Sequence, residues 1–299
     1  MTELRRRDAE VMRFDAADFP ARVSVSGLLG ESWDVRLDMD GRTVMLTDIT
    51  GAYYRRPTNF GCQLADDAET QWAQAEARAG AGGLLLTSGS WLNHPHRSGY
   101  ANYRPVQLEA ARKAGLTVPA TLITSDPAQA RAFAESHGDL VYKPMTHTPP
   151  GRGQVVYATP VTRRDLEGPA GQSISGTMHL LQQRIRAAFA VRLTVVDGHM
   201  FPAAIHAHSE AAAADWRADY DAVSYEAIAV PSGVAQSVRK LMDSLELRFG
   251  ALDLLVTEDG RWHFLEVNPN GQWAWIEQEV GLPISATIAE ALMRPAAAA

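Results

Sequence analysis

The sequence predicts an α/β protein that carries a lid of α+β character near its middle. Three observations point there. Apolar runs of four to eight residues, bounded by Gly, Pro or Asp, recur along the chain among longer amphipathic stretches. Asp-Gly dipeptides at 40–41, 197–198 and 259–260 each separate two such runs. That pair suits a two-residue hairpin turn, which needs φ > 0 at both central positions. Helix-like segments are marked by Pro at their start and Gly at their end, as in Pro105 and Gly115.

Composition narrows the function classes. The 299 residues are 46% hydrophobic and 21% charged, an ordinary globular balance. The formal net charge of −7 argues against a nucleic-acid partner, which calls for a basic face. A single cysteine, Cys62, excludes an intramolecular disulfide framework and suits a reducing cytoplasm. It reads as a small buried apolar residue rather than a nucleophile. The opening Met1-Thr2-Glu3-Leu4-Arg5-Arg6-Arg7-Asp8 has no apolar region after it, so it is not a signal peptide. No stretch approaches the ~20 apolar residues of a membrane span. The expectation is a soluble, cytoplasmic protein.

In chain order, short strands are expected at Val11 to Phe14 and Arg22 to Ser26, followed by a hairpin from Trp33 to Leu46 that turns at Asp40-Gly41. Ala52 to Pro57 reads as a strand containing Arg55 and Arg56, and Ala65 to Ala79 as a helix, with Gly80 to Ser90 open between helix and strand. A helix follows from Val106 to Gly115, a strand from Val118 to Thr124, and a helix capped by Ser125-Asp126-Pro127 and reaching His137. The boundary between a first domain and the rest is placed near Gly99 to Asn102.

Two stretches carry chemistry. With a two-residue turn at Asp259-Gly260, Glu258 faces Arg261, and counting outward sets Asp253 directly opposite Glu266. Opposed side chains lie roughly 4.5–5.5 Å apart, and Asn268 points to the same face. Two like charges on an apolar sheet need a positive partner. A hard divalent cation such as Mg²⁺, which prefers oxygen ligands and completes its shell with water and phosphates, fits; so would a structural network of arginines. The second stretch is Asp139 to Pro144, a short apolar strand ending in Lys143, one of only three lysines. A compact point charge there suits phosphate. The loop Thr146 to Gly153 then offers backbone N–H groups, although Pro-Gly loops commonly only turn. No Walker or Gly-x-Gly-x-x-Gly pattern opens a helix.

Farther on, strands are expected from Met178 to Ile185 and from Ala190 to Val196, turning at Asp197-Gly198 into Met200 to Ile205. Arg192, inside an apolar strand, demands an anion. His206 and His208 alternate like zinc ligands, but no third ligand has suitable spacing. Ser232 to Phe249 reads as a long amphipathic helix leading back to the Asp253 hairpin.

Together these features resemble the ATP-grasp ligases, and most closely the ATP-grasp ribosomal peptide maturases, or graspetide synthetases. The strings MRFDAADFP, YYRRP, WLNHP, QLEAARKAGLTVPATLITSDP, VYKP, VRLTVVDG, ADWR and FLEVNPNGQWAWIEQEVGLPI carry the likeness, the last being the most specific. The resemblance implies an ATP-grasp fold with an N-terminal pre-ATP-grasp α/β domain over 1–100, a lid domain over 101–178 and a C-terminal domain with the metal site over 179–299. It implies ATP and Mg²⁺ as cofactors, with Asp253, Glu266 and Asn268 as metal ligands. Lys143, Gly151, Arg152 and Gly153 would hold the phosphates; Gln182 and Gln183 would lie against adenine; Arg104 would add a nucleotide contact. Arg192 and Arg217 would face the transferred phosphate or the substrate carboxylate. The partner would be a precursor peptide with a leader and a core of Asp/Glu plus Thr, Ser or Lys; a homodimer stays open.

The implied reaction activates a side-chain carboxylate as an acyl phosphate and closes an ester or amide crosslink. The chain differs from the family pattern in lacking its opening strand, in carrying Arg104 where a lysine is usual, and in having Ala190 where an acidic residue often stands. Two other readings stay open: a ligase of the same fold joining small amino acids or peptides, and a non-catalytic ATP- or peptide-binding protein.

Overall fold

A computed structural model describes residues 1–55, 57–146, 158–209, 212 and 216–294. Among these, three antiparallel sheets form, each folded from a different part of the sequence.

The first part opens with α1 (Thr2–Arg6) and holds the sheet β1 (Val23–Leu29), β2 (Trp33–Met39), β3 (Arg42–Met45). Asp40 and Gly41 both take positive φ, 49° and 78°, and Met39 pairs with Arg42, so the expected two-residue turn forms. Val23, Val35, Leu37 and Leu46 close a small core. Val11 to Phe14 is not a strand; Met12 and Phe14 pack on that core without joining a ladder. Ala52 to Arg55 makes only an isolated bridge, Ala52 to Trp91. The open stretch after Ala79 is helical: α2 (Asp67–Ala77), capped by the Asp66 side chain, runs through a wider turn at Arg78–Gly82 into α3 (Gly83–Leu86). Next come α4 (Pro95–Ala101) and α5 (Arg104–Lys113), the latter ended by Gly115 at φ 92°.

The second sheet, ordered β4-β7-β5-β6, contains β4 (Thr121–Thr124), β5 (Leu140–Lys143), β6 (Thr159–Val161) and β7 (His179–Gln183). It is covered by α6 (Pro127–His137), α7 (Arg163–Glu167) and α8 (Pro169–Ser173), whose Ala130, Ala134 and Leu166 bury Leu140 and Leu181. Because β7 is an inner strand, this sheet extends past residue 178.

The third sheet, ordered β10-β9-β8-β11-β12, positions the site. Its strands are β8 (Phe189–Val196), β9 (His199–Ala207), β10 (Val223–Ala227), β11 (Phe249–Val256) and β12 (Trp262–Asn268). Asp197 and Gly198, at φ 50° and 83°, form the expected turn between β8 and β9. Side chains alternate across a sheet, so Val191, Leu193, Val195, Leu252 and Leu254 share one face, buried under Val238, Leu241 and Met242 of α9 (Ser232–Ser244). The opposite face carries Val196 and Phe249 against Ile276 of α10 (Ala274–Val280) and Ile284 and Ile288 of α11 (Ile284–Met293). Arg192, Ala251 and Asp253 belong to this second face.

The β11–β12 hairpin differs from the expected register near its turn. Asp259 does not adopt positive φ; only Gly260 does, at 78°. Thr257 N–H donates to the Arg261 carbonyl and Gly260 N–H to the Thr257 carbonyl, making a longer, three-residue turn. Val256 therefore pairs with Trp262, not His263. A register shift between Asp253 and Leu254 then restores the expected pairing, and Asp253 stands opposite Glu266.

Candidate active site

Asp253 is flanked in the sheet by Arg192 of β8 and by Glu266 of β12. It is 6% exposed. Arg192 Nη1 donates to Asp253 Oδ1 at 2.6 Å, and its Nη2 donates to the Gln272 carbonyl at 3.0 Å. The anion demanded by a cation in an apolar strand is thus Asp253, its direct neighbour in register. Arg217, from the short turn Trp216–Ala218 between β9 and β10, donates through Nη2 to Asp253 Oδ2 and lies 3.7 Å from Glu266 Oε1. Its guanidinium also sits 4.6 Å from the Trp216 ring centroid. Glu266 receives Arg104 at Oε2 and the Asn268 Nδ2 donor at Oε1, 2.9 Å away.

Burial works against charge on Asp253, yet Arg192 and Arg217 together hold its carboxyl below the usual carboxylate range; Glu266 lies within hydrogen-bonding reach of it. The expected donor set is therefore gathered: two carboxylates side by side and the Asn268 carboxamide, whose Nδ2 is spent on Glu266 and whose oxygen remains. Hard oxygen donors of this kind fit a divalent cation such as Mg²⁺. Three arginines meet those two carboxylates.

The chain braces this patch from three sides. Gln107, one turn after Arg104 on α5, accepts from Val267 N–H at 3.0 Å and donates to the Val267 carbonyl at 2.9 Å, fixing α5 to β12 and delivering Arg104 to Glu266. Asn93 is buried; its Oδ1 accepts from the Arg248 and Phe249 N–H groups, and its Nδ2 donates to the Phe249 and Pro269 carbonyls. Gly271 closes the turn after β12, its N–H donating to the Asn268 carbonyl. A Cβ there would stand 2.4 Å from Ala251 Cβ and 3.2 Å from Arg192 Nη2. The sequence alone assigns no role to Asn93, Gln107 or Gly271, although Gly271 closes the stretch that carries Glu266 and Asn268. Their visible signal was only that polar or small residues stood inside the WLNHP, QLEAARK and NPNGQW strings.

Lys143 ends β5, and its Nζ donates to Gln182 Oε1 at 2.7 Å. Gln182 is buried and donates in turn to Thr121 Oγ1 at 2.8 Å. Its side chain ties β7 to β5 and β4, so any contact with adenine falls to backbone or to neighbours. Gln183 N–H donates to the Ala120 carbonyl. Gly151, Arg152 and Gly153, expected to close over phosphates, lie outside the described residues, as do Arg56 and Asp215. His206 approaches Glu226 at 3.6 Å, and His208 Nε2 lies 2.9 Å from Ser224 Oγ.

Comparison with known proteins agrees with the architecture. Residues 1–96 match the family model for the MvdD pre-ATP grasp domain. No curated protein matches the chain. Among solved structures it is similar to macrocyclase MdnC of Microcystis aeruginosa MRC, determined with precursor peptide MdnA, at 27% identity and TM-score 0.85 over 97% of this chain and 93% of that one. It is similar also to a Chryseobacterium gregarium RiPP-associated ATP-grasp ligase, determined with ADP and a leader and core peptide, at 26% identity and TM-score 0.87 over 97% and 90%. Macrocyclase MdnB of the same Microcystis follows at 26% identity and TM-score 0.80 over 97% and 92%. Fold and hairpin site together define an ATP-grasp protein. Over nearly its whole length the chain is similar to ATP-grasp macrocyclases and a RiPP-associated ATP-grasp ligase, and its first 96 residues match a pre-ATP-grasp domain.

Proposed function

We propose that this protein is an ATP-dependent ligase that activates Asp or Glu side chains of a ribosomal precursor peptide and closes them into ester or amide crosslinks. The observation that carries this is the pairing of Asp253 with Glu266, with Asn268 alongside, inside a ring of Arg104, Arg192 and Arg217. Mg²⁺ bound to the Asp253, Glu266 and Asn268 oxygens would neutralise phosphate charge. Lys143, held by Gln182, would grip the phosphates from the second sheet. Arg217, more exposed than Arg192, would orient the peptide carboxylate for attack on the γ-phosphorus of ATP, giving an acyl phosphate and ADP. A Thr or Ser hydroxyl or a Lys amine of the same peptide would then displace phosphate and lose its proton. Positioning and charge neutralisation dominate phosphoryl transfer, so no nucleophilic residue of the enzyme is required.

The relatives solved with precursor peptides, together with the match over residues 1–96, support this reading over a ligase of small amino acids. Among the described residues no helix is long and apolar enough to cross a membrane, and with one cysteine we place the reaction in the cytoplasm. The test is co-expression with the peptide encoded beside the gene and mass spectrometry of the product. Each ring formed removes one water, about 18 Da, as the acyl phosphate is captured. Glu266→Gln and Lys143→Ala should each abolish that loss while the variants still unfold cooperatively in urea, Glu266→Gln with a stability lowered by the partner it takes from Arg104. Unchanged ring formation in both variants would sink the site assignment.

A further inference from the structure

A recess lies beside the short turn that carries Arg217. It has a volume of about 590 Å³ and is walled by Tyr220, Val223, Tyr225 and Trp275, with Asp221 and Glu279 at its rim. The aromatic wall continues beyond the recess. Trp275 packs on Tyr225 at 5.2 Å between ring centroids and on Trp216 at 5.1 Å, and Trp216 packs on Tyr220 at 5.7 Å. The same wall reaches the reaction centre by two covalently short routes. Trp216 precedes Arg217, which contacts Asp253 and Glu266. Trp275 lies three residues after Gln272, whose carbonyl holds Arg192.

The chemistry of the recess is specific. Aromatic faces present negative potential and attract cations, Trp most strongly. Asp221 and Glu279 are both exposed, and among the described residues neither has an ion-pair partner. Tyr220 is 59% exposed although it packs on Trp216, so the wall faces solvent rather than the core. Aromatic faces with two unpaired carboxylates at the mouth are complementary to a long apolar stem that ends in positive charge.

We propose that this recess is a substrate subsite for one basic side chain, lysine or arginine, of the peptide whose carboxylate reacts beside Arg217. The stem lies against Tyr225 and Trp275, and the cationic head meets Asp221 and Glu279. The inference rests on the peptide-ligase reading above. It adds a specificity element: a basic residue near the reacting carboxylate sets the register in which the peptide is presented.

The experiment uses the full chain labelled with 5-fluorotryptophan, the Trp275 resonance being assigned with Trp275→Phe. The probes are Nα-acetyl-lysine N-methylamide, the arginine analogue and the neutral norleucine analogue. The lysine and arginine probes should shift the Trp275 signal saturably and bind about five-fold or more tighter than norleucine, the scale of a cation–π contact joined by an ion pair. Glu279→Gln combined with Asp221→Asn should erase that preference while leaving norleucine binding unchanged. Equal binding of all three probes, or saturation by none, overturns the subsite. Mg²⁺–ADP binding is measured on the same samples. Nucleotide binding without cation preference rejects the subsite alone, whereas cation preference without nucleotide binding leaves the recess a cation site and rejects the ligase reading on which its substrate role rests.

Discussion

Gly271→Ala tests how tightly the hairpin is packed beneath its carboxylates. The added methyl would lie 2.4 Å from Ala251 Cβ, 3.2 Å from Asn268 Cβ and 3.2 Å from Arg192 Nη2. Carbon atoms prefer about 3.5–4.0 Å, so the turn after β12 must lift from β11 by about an ångström. Overpacking of this kind costs about 1–3 kcal/mol of stability. The larger effect should fall on turnover, because the lift moves Asn268 and the Arg192 anchor together. A displacement of about 1 Å in a positioning group can cost about 100-fold. Ring formation on the co-expressed peptide, or ADP release, measures turnover, and urea denaturation measures stability. Ala251→Gly removes the closest clashing atom at a cost of about 0.5–1 kcal/mol, so the double variant should recover most of the lost turnover. Wild-type turnover and stability in Gly271→Ala would refute the packing argument. A loss that Ala251→Gly fails to relieve would refute its assigned cause.

Asn93→Ala removes four hydrogen bonds to buried backbone around Phe249 and Pro269. It should cost about 3 kcal/mol or more in urea denaturation, since each orphaned buried group costs about 1–3; a loss under about 1 would contradict the bracing role. Asp253 has a folded-state pKa below that of the unfolded chain, about 3.9. Its contribution to stability is therefore complete at neutral pH and is lost as pH falls below about 4 towards the folded value. Asp253→Asn should destabilise the protein by about 3–5 kcal/mol at pH 7 by stranding Arg192. That deficit should shrink as pH falls from 7 to 3, and a constant deficit would be the contrary result.

Much of the site was legible because strand pairing is local. The Asp253–Glu266 pair follows from a short hairpin, and the alternation that puts Asn268 beside Glu266 is independent of tertiary context. The same hairpin shows the limit of such reasoning. Asp40-Gly41 and Asp197-Gly198 turn with both residues at positive φ, but at Asp259-Gly260 side-chain chemistry intervenes. Thr257 Oγ1 donates to Asp259 and accepts from Arg261 N–H, while Arg261 Nε holds the other Asp259 oxygen at 2.7 Å. The turn lengthens by one residue and a bulge beside Leu254 cancels the slip. The expected pair therefore forms by a path that the turn dipeptide did not reveal. The partners of the carboxylates were less legible. Arg104 and Gln107 lie some 160 residues from the strand they contact, and no periodicity encodes a separation of that size.

The three arginines differ in how firmly the fold holds them. Arg192 comes from an inner strand, with a side chain only 6% exposed, and is tied to both Asp253 and the Gln272 carbonyl. Arg104 is 12% exposed and rides on a helix that Gln107 fastens to β12. Arg217 is 32% exposed and comes from a short turn that leads from β9 to the edge strand β10. Withdrawing a rigid, buried guanidinium from a carboxylate leaves an uncompensated charge and costs several kcal/mol; withdrawing a half-solvated one costs far less, because water replaces it. Arg104 and Arg192 therefore set the positions of Glu266 and Asp253, whereas Arg217 is the arginine whose withdrawal from both carboxylates costs least. With three cations against two carboxylates, the patch keeps a surplus positive charge, which favours the anionic phosphates and peptide carboxylate that the proposed reaction brings together.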